Sequence, residues 1–356
     1  MDGAKRSPQG EGAGGAPESI RAVLACRTPA LGGQLWQCTC RCHRHHTPTR
    51  HYVYHSCNHR SCPQCGSLDQ QKWAATQEAR LLPSVPYFLL TLTVPDSLRG
   101  ACRKHPAILY DLLLREAAGA LKDLCHSKLH GSPGFTAVLH TWGRQMQHHP
   151  HVHLVVPGVM LAPDRTLRHL PREDFLLHGR PLAARFRNRL DIALREDHPD
   201  IHAMILRDHP QVFRAAWVAD VIHTGTGRPA LRYLARYVFR SALGPRRLLG
   251  YTPDGRLRLL CHQSGTNRPH VITLRPDEFL RRWLTHVLPK GFVRIRHFGW
   301  MSGAARKDRL LVRALICGQL DEPPPNLPGP PVPRCSHCGA EMKLIATIRP
   351  RGPPGP

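Results

Sequence analysis

The feature that most restricts how this chain can fold is the crowding of cysteine near its start. Seven cysteines, Cys26, Cys38, Cys40, Cys42, Cys57, Cys62 and Cys65, fall before residue 66. Cys62-Pro-Gln-Cys65 is a tight knuckle, and Cys57 precedes it by five residues. The segment is short and has too few apolar residues to fold by burial alone. Thiolates in pairs close a tetrahedral zinc site, and the metal then supplies folding free energy. One zinc is expected and a second is compatible with the ligand count. The main ligands are Cys26, Cys38, Cys57, Cys62 and Cys65, joined by Cys40 or Cys42. His43, His45 and His46 fit a ligand set or a solvated histidine-rich loop equally well.

Charge narrows the partner. The chain has 50 Lys+Arg against 25 Asp+Glu, a net +25 with neutral histidines, and its pI is 10.4. An excess of this size points to a polyanion, most simply nucleic acid. No apolar run approaches the ~20 residues of a membrane span. Met1 to Glu18 is Gly-rich and lacks the apolar stretch of a signal peptide, so the expected location is cytoplasmic. In that compartment the 13 cysteines read as metal ligands or free thiols rather than disulfides. At 356 residues the chain can bury a sizeable core in two or three units.

Periodicity outlines the elements that follow. Residues 70–82 read as a helix with Trp73, Ala74, Gln77 and Leu81 on one side. Tyr87 to Val94 reads as a buried strand stopped by Pro95. Pro106 to Leu124 reads as a helix whose apolar stripe is Leu109, Leu112, Leu113, Ala117, Leu121 and Leu124. Phe135 to Trp142, His151 to Val156 and Arg214 to His223 read as further strands. Thr224-Gly-Thr-Gly227 breaks the last, and Pro229 opens a helix through Ala242 with Leu231, Leu234 and Val238 as its core stripe. Strands and helices in this order predict a two-layer α+β domain, an antiparallel sheet with helices on one face.

Two spacings carry chemistry. His151 and His153 are two apart on a strand, so both imidazoles point the same way and can grip one ion. Tyr233 and Tyr237 are four apart on a helix, so two phenols share one side. A free phenol has a pKa of about 10, which leaves roughly 0.1% phenolate at pH 7. Attack on a phosphodiester therefore needs help, and a divalent ion that binds non-bridging oxygens supplies it. His149 on the same strand face, His140 on the preceding strand, and Gln145 or Gln147 are further side chains that could join them. Imidazoles with phosphate and water suit Mg²⁺ or Mn²⁺, and zinc is also compatible. Arg236 and Arg240, on the exposed side of the tyrosine helix, are candidate phosphate contacts. Lys290, Arg294 and Arg296 surround Phe292, which fits either a stacking surface for single-stranded DNA or a plain basic strand.

The chain resembles the two-tyrosine rolling-circle transposases of the IS91 type, within the HUH single-strand endonuclease superfamily. The resemblance runs from about Val23 to Leu315 through Cys26-Arg-Thr-Pro-Ala-Leu-Gly-Gly33 and Ser56-Cys-Asn-His-Arg-Ser-Cys-Pro-Gln-Cys65. It continues through Leu139-His-Thr-Trp-Gly143, His148-His-Pro-His-Val-His153, Leu231-Arg-Tyr-Leu-Ala-Arg-Tyr-Val-Phe-Arg240 and His286-Val-Leu-Pro-Lys-Gly-Phe-Val-Arg-Ile-Arg-His297. It implies a zinc-binding N-terminal module, a ferredoxin-like or RRM-like HUH core, and tyrosine-dependent transposition of single-stranded or hairpin DNA at element ends through a 5′-phosphotyrosine. The implied division is a disordered N-terminus (1–20), a zinc-binding domain (21–68), a catalytic core with the tyrosine helix (69–245), the C-terminal part of the transposase domain (246–320), and a proline-rich tail (321–356).

Two departures from that family stand out. The family's second cysteine pair is C-x2-C, whereas here Arg41 stands between Cys40 and Cys42. In the tail, Cys335-Ser-His-Cys338 is one knuckle without a second, half a zinc site unless another cysteine or a second chain completes it. Two other functions use the same features: a plasmid replication initiator with an HUH core, and a non-catalytic zinc protein that binds nucleic acid through charge.

Overall fold

The computed structural model describes residues 15–40, 49–238, 243–244, 247–262, 268–319, 324–329 and 332–351. Cys42, His43, His45, His46 and Arg240 lie outside the described residues, as do the side chains of Arg236 and Tyr237. The chain divides into two compact units. One gathers Leu81–Leu231 and Leu280–Glu322, with Met1–Pro17; the other gathers Glu18–Arg80, Arg232–Phe279 and Pro323–Pro356.

The first unit is built on a five-stranded antiparallel sheet. From edge to edge its strands are Ile295–Phe298, Phe135–Trp142, His148–Pro157, Tyr87–Thr93 and Val218–His223. Successive side chains on a strand face opposite ways. Cross-strand register therefore places Leu90 beside Leu154 and Leu92 beside Val152 on one face. Ala137 and Leu139 continue that face on the neighbouring strand. All of these are buried and belong to the main core.

Helix Pro106–Leu129 packs against this sheet, opened by proline at its first position. The expected stripe of Leu109, Leu112, Leu113, Ala117, Leu121 and Leu124 is buried, and so are Tyr110, Leu114 and Ala118. The helix buries more than one face because helix Gly179–Asp197 lies against it. Glu116 is buried between them, and Arg115 Nε (2.8 Å) and Arg189 Nε (3.0 Å) neutralise its carboxylate. The antiparallel sheet and its helix layer thus follow the expectation from sequence. Helices Gly179–Asp197 and Pro199–Asp208 do not appear in that expectation. The first has an apolar side (Leu182, Ala183, Phe186, Leu190, Leu194) diluted by arginines, which hides its periodicity in the composition.

Among the described residues of the second unit, the buried side chains include Leu234, Leu257, Leu259, Cys261 and Leu274 beside two cysteine clusters. Strand Gly33–Gln37 is central in a three-stranded antiparallel sheet, between Arg50–Tyr54 and Lys343–Ile348. Another three-stranded sheet is formed by Leu248–Tyr251, Leu257–His262 and Pro269–Leu274, with Leu257, Leu259 and Cys261 buried on one side. Helix Ser67–Ala79 occupies the place expected for residues 70–82. Part of the tail is thus a strand of the N-terminal sheet.

Candidate active site and metal centres

The face of the large sheet opposite helix Pro106–Leu129 carries histidines. Strand alternation puts Val152 and Leu154 into the core and turns His151 and His153 the other way. His140, on the adjacent strand, pairs directly with His151. The ligand nitrogens of His140, His151 and His153 all lie within 4.8 Å of one another. Ring centroids are 4.5 Å apart for His140 and His153, 4.8 Å for His151 and His153, and 5.2 Å for His140 and His151.

The surroundings keep these rings neutral and oriented. Burial, reinforced by the His153 and His151 rings and the Arg294 guanidinium, holds His140 well below the usual histidine range. Burial lowers His153 similarly, and lowers His151 to about 4. Neutral imidazoles keep a lone pair for a metal. His151 Nδ1 donates to the His149 carbonyl at 2.7 Å, which fixes the tautomer and leaves Nε2 as the ligating atom. His153 Nδ1 is held 3.0 Å from Thr91 Oγ1. His149 shares the strand face but is drawn elsewhere: Arg99 donates to its Nδ1 at 2.7 Å, and Arg99 in turn pairs with Asp96. Gln145 and Gln147 lie between the two strands, where the Gln147 side chain accepts from the Gln145 backbone at 2.9 Å. Among the sequence candidates for a third ligand, His140 is therefore the one gathered with His151 and His153. Three neutral nitrogens on one face fit a divalent ion with positions left for phosphate and water. Thr91 carries no motif in the sequence; only the strand register brings it to His153.

The tyrosine helix is Arg228–Val238. It follows Gly227, whose φ of +78° and contact with the Tyr87 ring leave no room for a Cβ. Leu231 and Leu234 are buried as expected, and Tyr233 is 39% exposed. The helix begins in the first unit and is counted with the second from Arg232 onward. Arg232 pairs with Glu78 at 3.4 Å. Tyr87 and Tyr110, by contrast, are buried, and Tyr110 holds His148 at 2.8 Å.

The basic candidates near Phe292 differ from one another. Lys290 is exposed in a turn. Arg294 carries its charge close enough to His140 to help keep that ring neutral. Arg296 is engaged within the protein: it pairs with Asp111 at 2.7 Å and lies 5.5 Å from the centre of the Phe292 ring.

The cysteines separate into two groups. Cys26, Cys57, Cys62 and Cys65 bring four Sγ atoms within 4.8 Å of one another. Two of the separations are 3.1 Å (Cys26 to Cys65) and 3.5 Å (Cys57 to Cys65). Zn–S bonds of about 2.3 Å place tetrahedral sulfurs about 3.8 Å apart, so the residues fit zinc. Burial pushes Cys57 up to about 11 and raises Cys62 further. It opposes ionisation of Cys65 too, but hydrogen bonds from Cys26, Cys57 and Cys62 leave that thiol below its ordinary value. Such crowded thiols ionise together only around a cation. Cys38 is not in this group; it lies with Cys335 and Cys338.

Comparison with known proteins bears on these sites. A family model described as "Transposase zinc-binding domain" matches residues 13–94, and one described as "Putative transposase" matches residues 134–309. A putative transposase of Sinorhizobium fredii, y4qJ, is 34% identical over 309 residues, covering 82% of this chain and 75% of that protein. The transposase for insertion sequence element IS801 of Pseudomonas savastanoi pv. phaseolicola is 28% identical over 371 residues, covering 93% of this chain and 83% of that protein. No solved structure matches the chain. One match encloses the four-cysteine cluster and the other encloses the three histidines and the tyrosine helix, so the chain belongs to the IS91 family of transposases.

Proposed function

We propose that this transposase nicks and rejoins single-stranded DNA at the ends of its element through a 5′-phosphotyrosine, in rolling-circle transposition. Tyr233 and Tyr237 are the nucleophiles, and His140, His151 and His153 hold a catalytic divalent ion. The observation that carries the proposal is the convergence of three buried, neutral histidines on adjacent strands of a strongly basic protein. A divalent ion there would draw charge from the non-bridging oxygens of one phosphate as phosphorus is attacked. The all-imidazole ligand set favours Mn²⁺ over Mg²⁺.

The chain's own residues do the rest. The phenol oxygen of one tyrosine forms a bond to phosphorus, and the bond from phosphorus to the 3′-oxygen breaks. The proton lost by the phenol balances the one gained by the 3′-hydroxyl that leaves. The phosphotyrosine conserves the bond energy, so a 3′-hydroxyl can later displace the tyrosine without ATP. Two tyrosines allow two DNA ends to be held during one exchange. Thr91 and the His149 carbonyl orient the rings. Arg294, whose charge acts on His140, would offset phosphate charge there. Unpaired DNA suits the chemistry because one phosphate of one strand must reach a phenol.

The test is a labelled single-stranded oligonucleotide from an element end, incubated with the protein and Mn²⁺. A covalent protein–DNA adduct is expected, with loss when Tyr233 and Tyr237 are both changed to Phe. Changing His151 and His153 to Ala should abolish it too. An undiminished adduct in the double Phe variant would overturn the tyrosine assignment. No adduct from the unaltered protein would favour a DNA-binding role without cleavage.

A further inference from the structure

We propose that Cys38, Cys335 and Cys338, with Cys40 as the fourth ligand, form a second structural zinc site that fastens the C-terminal segment to the N-terminal sheet. Cys335 and Cys338 lie beyond both regions matched by the transposase family models, which end at residues 94 and 309. In sequence they are an unpaired knuckle. In the structure the missing half is supplied from about 300 positions away: Cys38 Sγ is 3.6 Å from Cys338 Sγ, at a sequence separation of 300.

The strand register explains the meeting. Lys343–Ile348 runs antiparallel to Gly33–Gln37, and the last pair of that ladder is Gln37 with Lys343. Cys38 follows Gln37, and Met342 precedes Lys343, so the two knuckles leave the sheet at the same end. Cys38, Cys335 and Met342 are buried together, with Trp36, Cys40 and Cys338 packed around them. The Sγ atoms of Cys38, Cys335 and Cys338 all lie within 4.8 Å of one another. The turn is closed by Gly339 N to the Cys335 carbonyl and by Cys335 N to the Ala340 carbonyl, both 2.8 Å.

The local hydrogen bonding repeats that of the four-cysteine site. There, the backbone N–H groups of His59 and Gln64 donate to the sulfurs of Cys57 and Cys62, each two residues back. Here the N–H of Cys40 donates to Cys38 and that of His337 to Cys335, at the same spacing. The Cys338 N–H also reaches the Cys335 sulfur. Donors aimed at sulfur stabilise thiolate, the form that binds zinc. Cys40, whose sulfur is not among the three within 4.8 Å, packs against the cluster and donates its N–H to Cys38, which makes it the fourth ligand proposed. Zinc binding displaces the thiol protons to solvent and requires no redox partner.

Zinc counting on the full chain tests this without reference to DNA cleavage, so its outcome is independent of the tyrosine mechanism. Native mass spectrometry of the unaltered protein is expected to show two zinc ions per chain. Changing Cys335 and Cys338 to Ser should remove one, and changing Cys62 and Cys65 to Ser should remove the other. Cys40→Ser should loosen one ion, while Cys42→Ser should loosen neither. If the variants fold poorly, alkylation mapping on the unaltered protein decides instead. Cys38, Cys40, Cys335 and Cys338 should resist iodoacetamide until a chelator is added. A single zinc in the unaltered protein, two zincs in the Cys335/Cys338 variant, or a disulfide joining Cys38 to Cys338 would each overturn the second site. Loss through Cys42→Ser but not Cys40→Ser would overturn the fourth ligand.

Discussion

The two compact units are held together by different physics. The first buries a continuous apolar core between a five-stranded sheet and its helices, with Leu90, Leu114, Leu121, Val152 and Leu154 fully enclosed. The second has thin sheets whose strands are largely exposed, such as Lys343–Ile348, and two of its buried clusters are made of cysteine with few apolar neighbours. Burial of apolar area stabilises the first at about 25 cal/mol per Å². In the second, zinc bound at its clustered cysteines would add to what its described apolar residues bury. The two kinds of candidate metal site therefore lie in different units: the cysteine clusters in the second, and the histidines proposed to hold a catalytic ion in the first.

The comparison predicts its largest effect for chelation. Structural zinc contributes about 10–16 kcal/mol of apparent binding free energy in small zinc modules. Stripping zinc should therefore unfold the N-terminal module while the sheet unit keeps its protease resistance. Limited proteolysis with and without chelator reads this directly, and equal resistance of both units would break the contrast. A core cavity in the other unit should do the opposite. Leu121→Ala, at a fully buried position of helix Pro106–Leu129, should cost about 2–5 kcal/mol in denaturant unfolding and leave the zinc content unchanged. Loss of zinc in that variant would show that the units are not energetically distinct.

A smaller effect concerns pH. Burial, helped by nearby positive groups, holds His148 down to about 3, where it bonds Tyr110 at 2.8 Å. Its ordinary value is 6.5. Between these values the unfolded chain carries a proton that the folded chain does not. The stability it contributes is therefore present above 6.5 and lost as pH falls toward 3, with a slope of up to about 1.4 kcal/mol per pH unit. His148→Gln should flatten that slope in acid titrations of unfolding. An unchanged slope would mean that His148 is not the group responsible.

The smallest effect separates two arginines. Each phosphate contact on single-stranded DNA contributes about −0.7 to the slope of log affinity against log salt. Arg294, whose charge reaches His140, should account for about one such contact, so Arg294→Ala should flatten the slope by about 0.7. Arg296 is tied to Asp111, and Arg296→Ala should change the slope less. The same titrations, run with hairpin, single-stranded and duplex DNA, should show weakest binding to duplex. Equal slopes for both variants would remove the distinction between the two arginines.

Local signals in the sequence carried a good share of this. Strand Phe135–Trp142 could be read directly, as could the helix beginning at Pro106 and the same-side placement of His151 with His153, because alternation and helical spacing act over a few residues. The cysteine knuckle at 62–65 and the positive charge were equally legible. Helix Gly179–Asp197 was not, because its arginines mask the apolar stripe that packs on the long helix. Nor could the sequence choose His140 over His149. Both are near the motif, and the choice depends on strand register and on Arg99 drawing His149 away. Cys38 was read with the neighbouring N-terminal cysteines, yet it sits with Cys335 and Cys338. That partnership depends on a strand pairing that joins the two ends of the chain, and no local periodicity encodes a contact at such separation. The sequence determined which side chains could bind metal or attack phosphate, because that is fixed by residue type and short spacing. Only the tertiary structure decided which of them meet, because long-range strand pairing sets the distances between them.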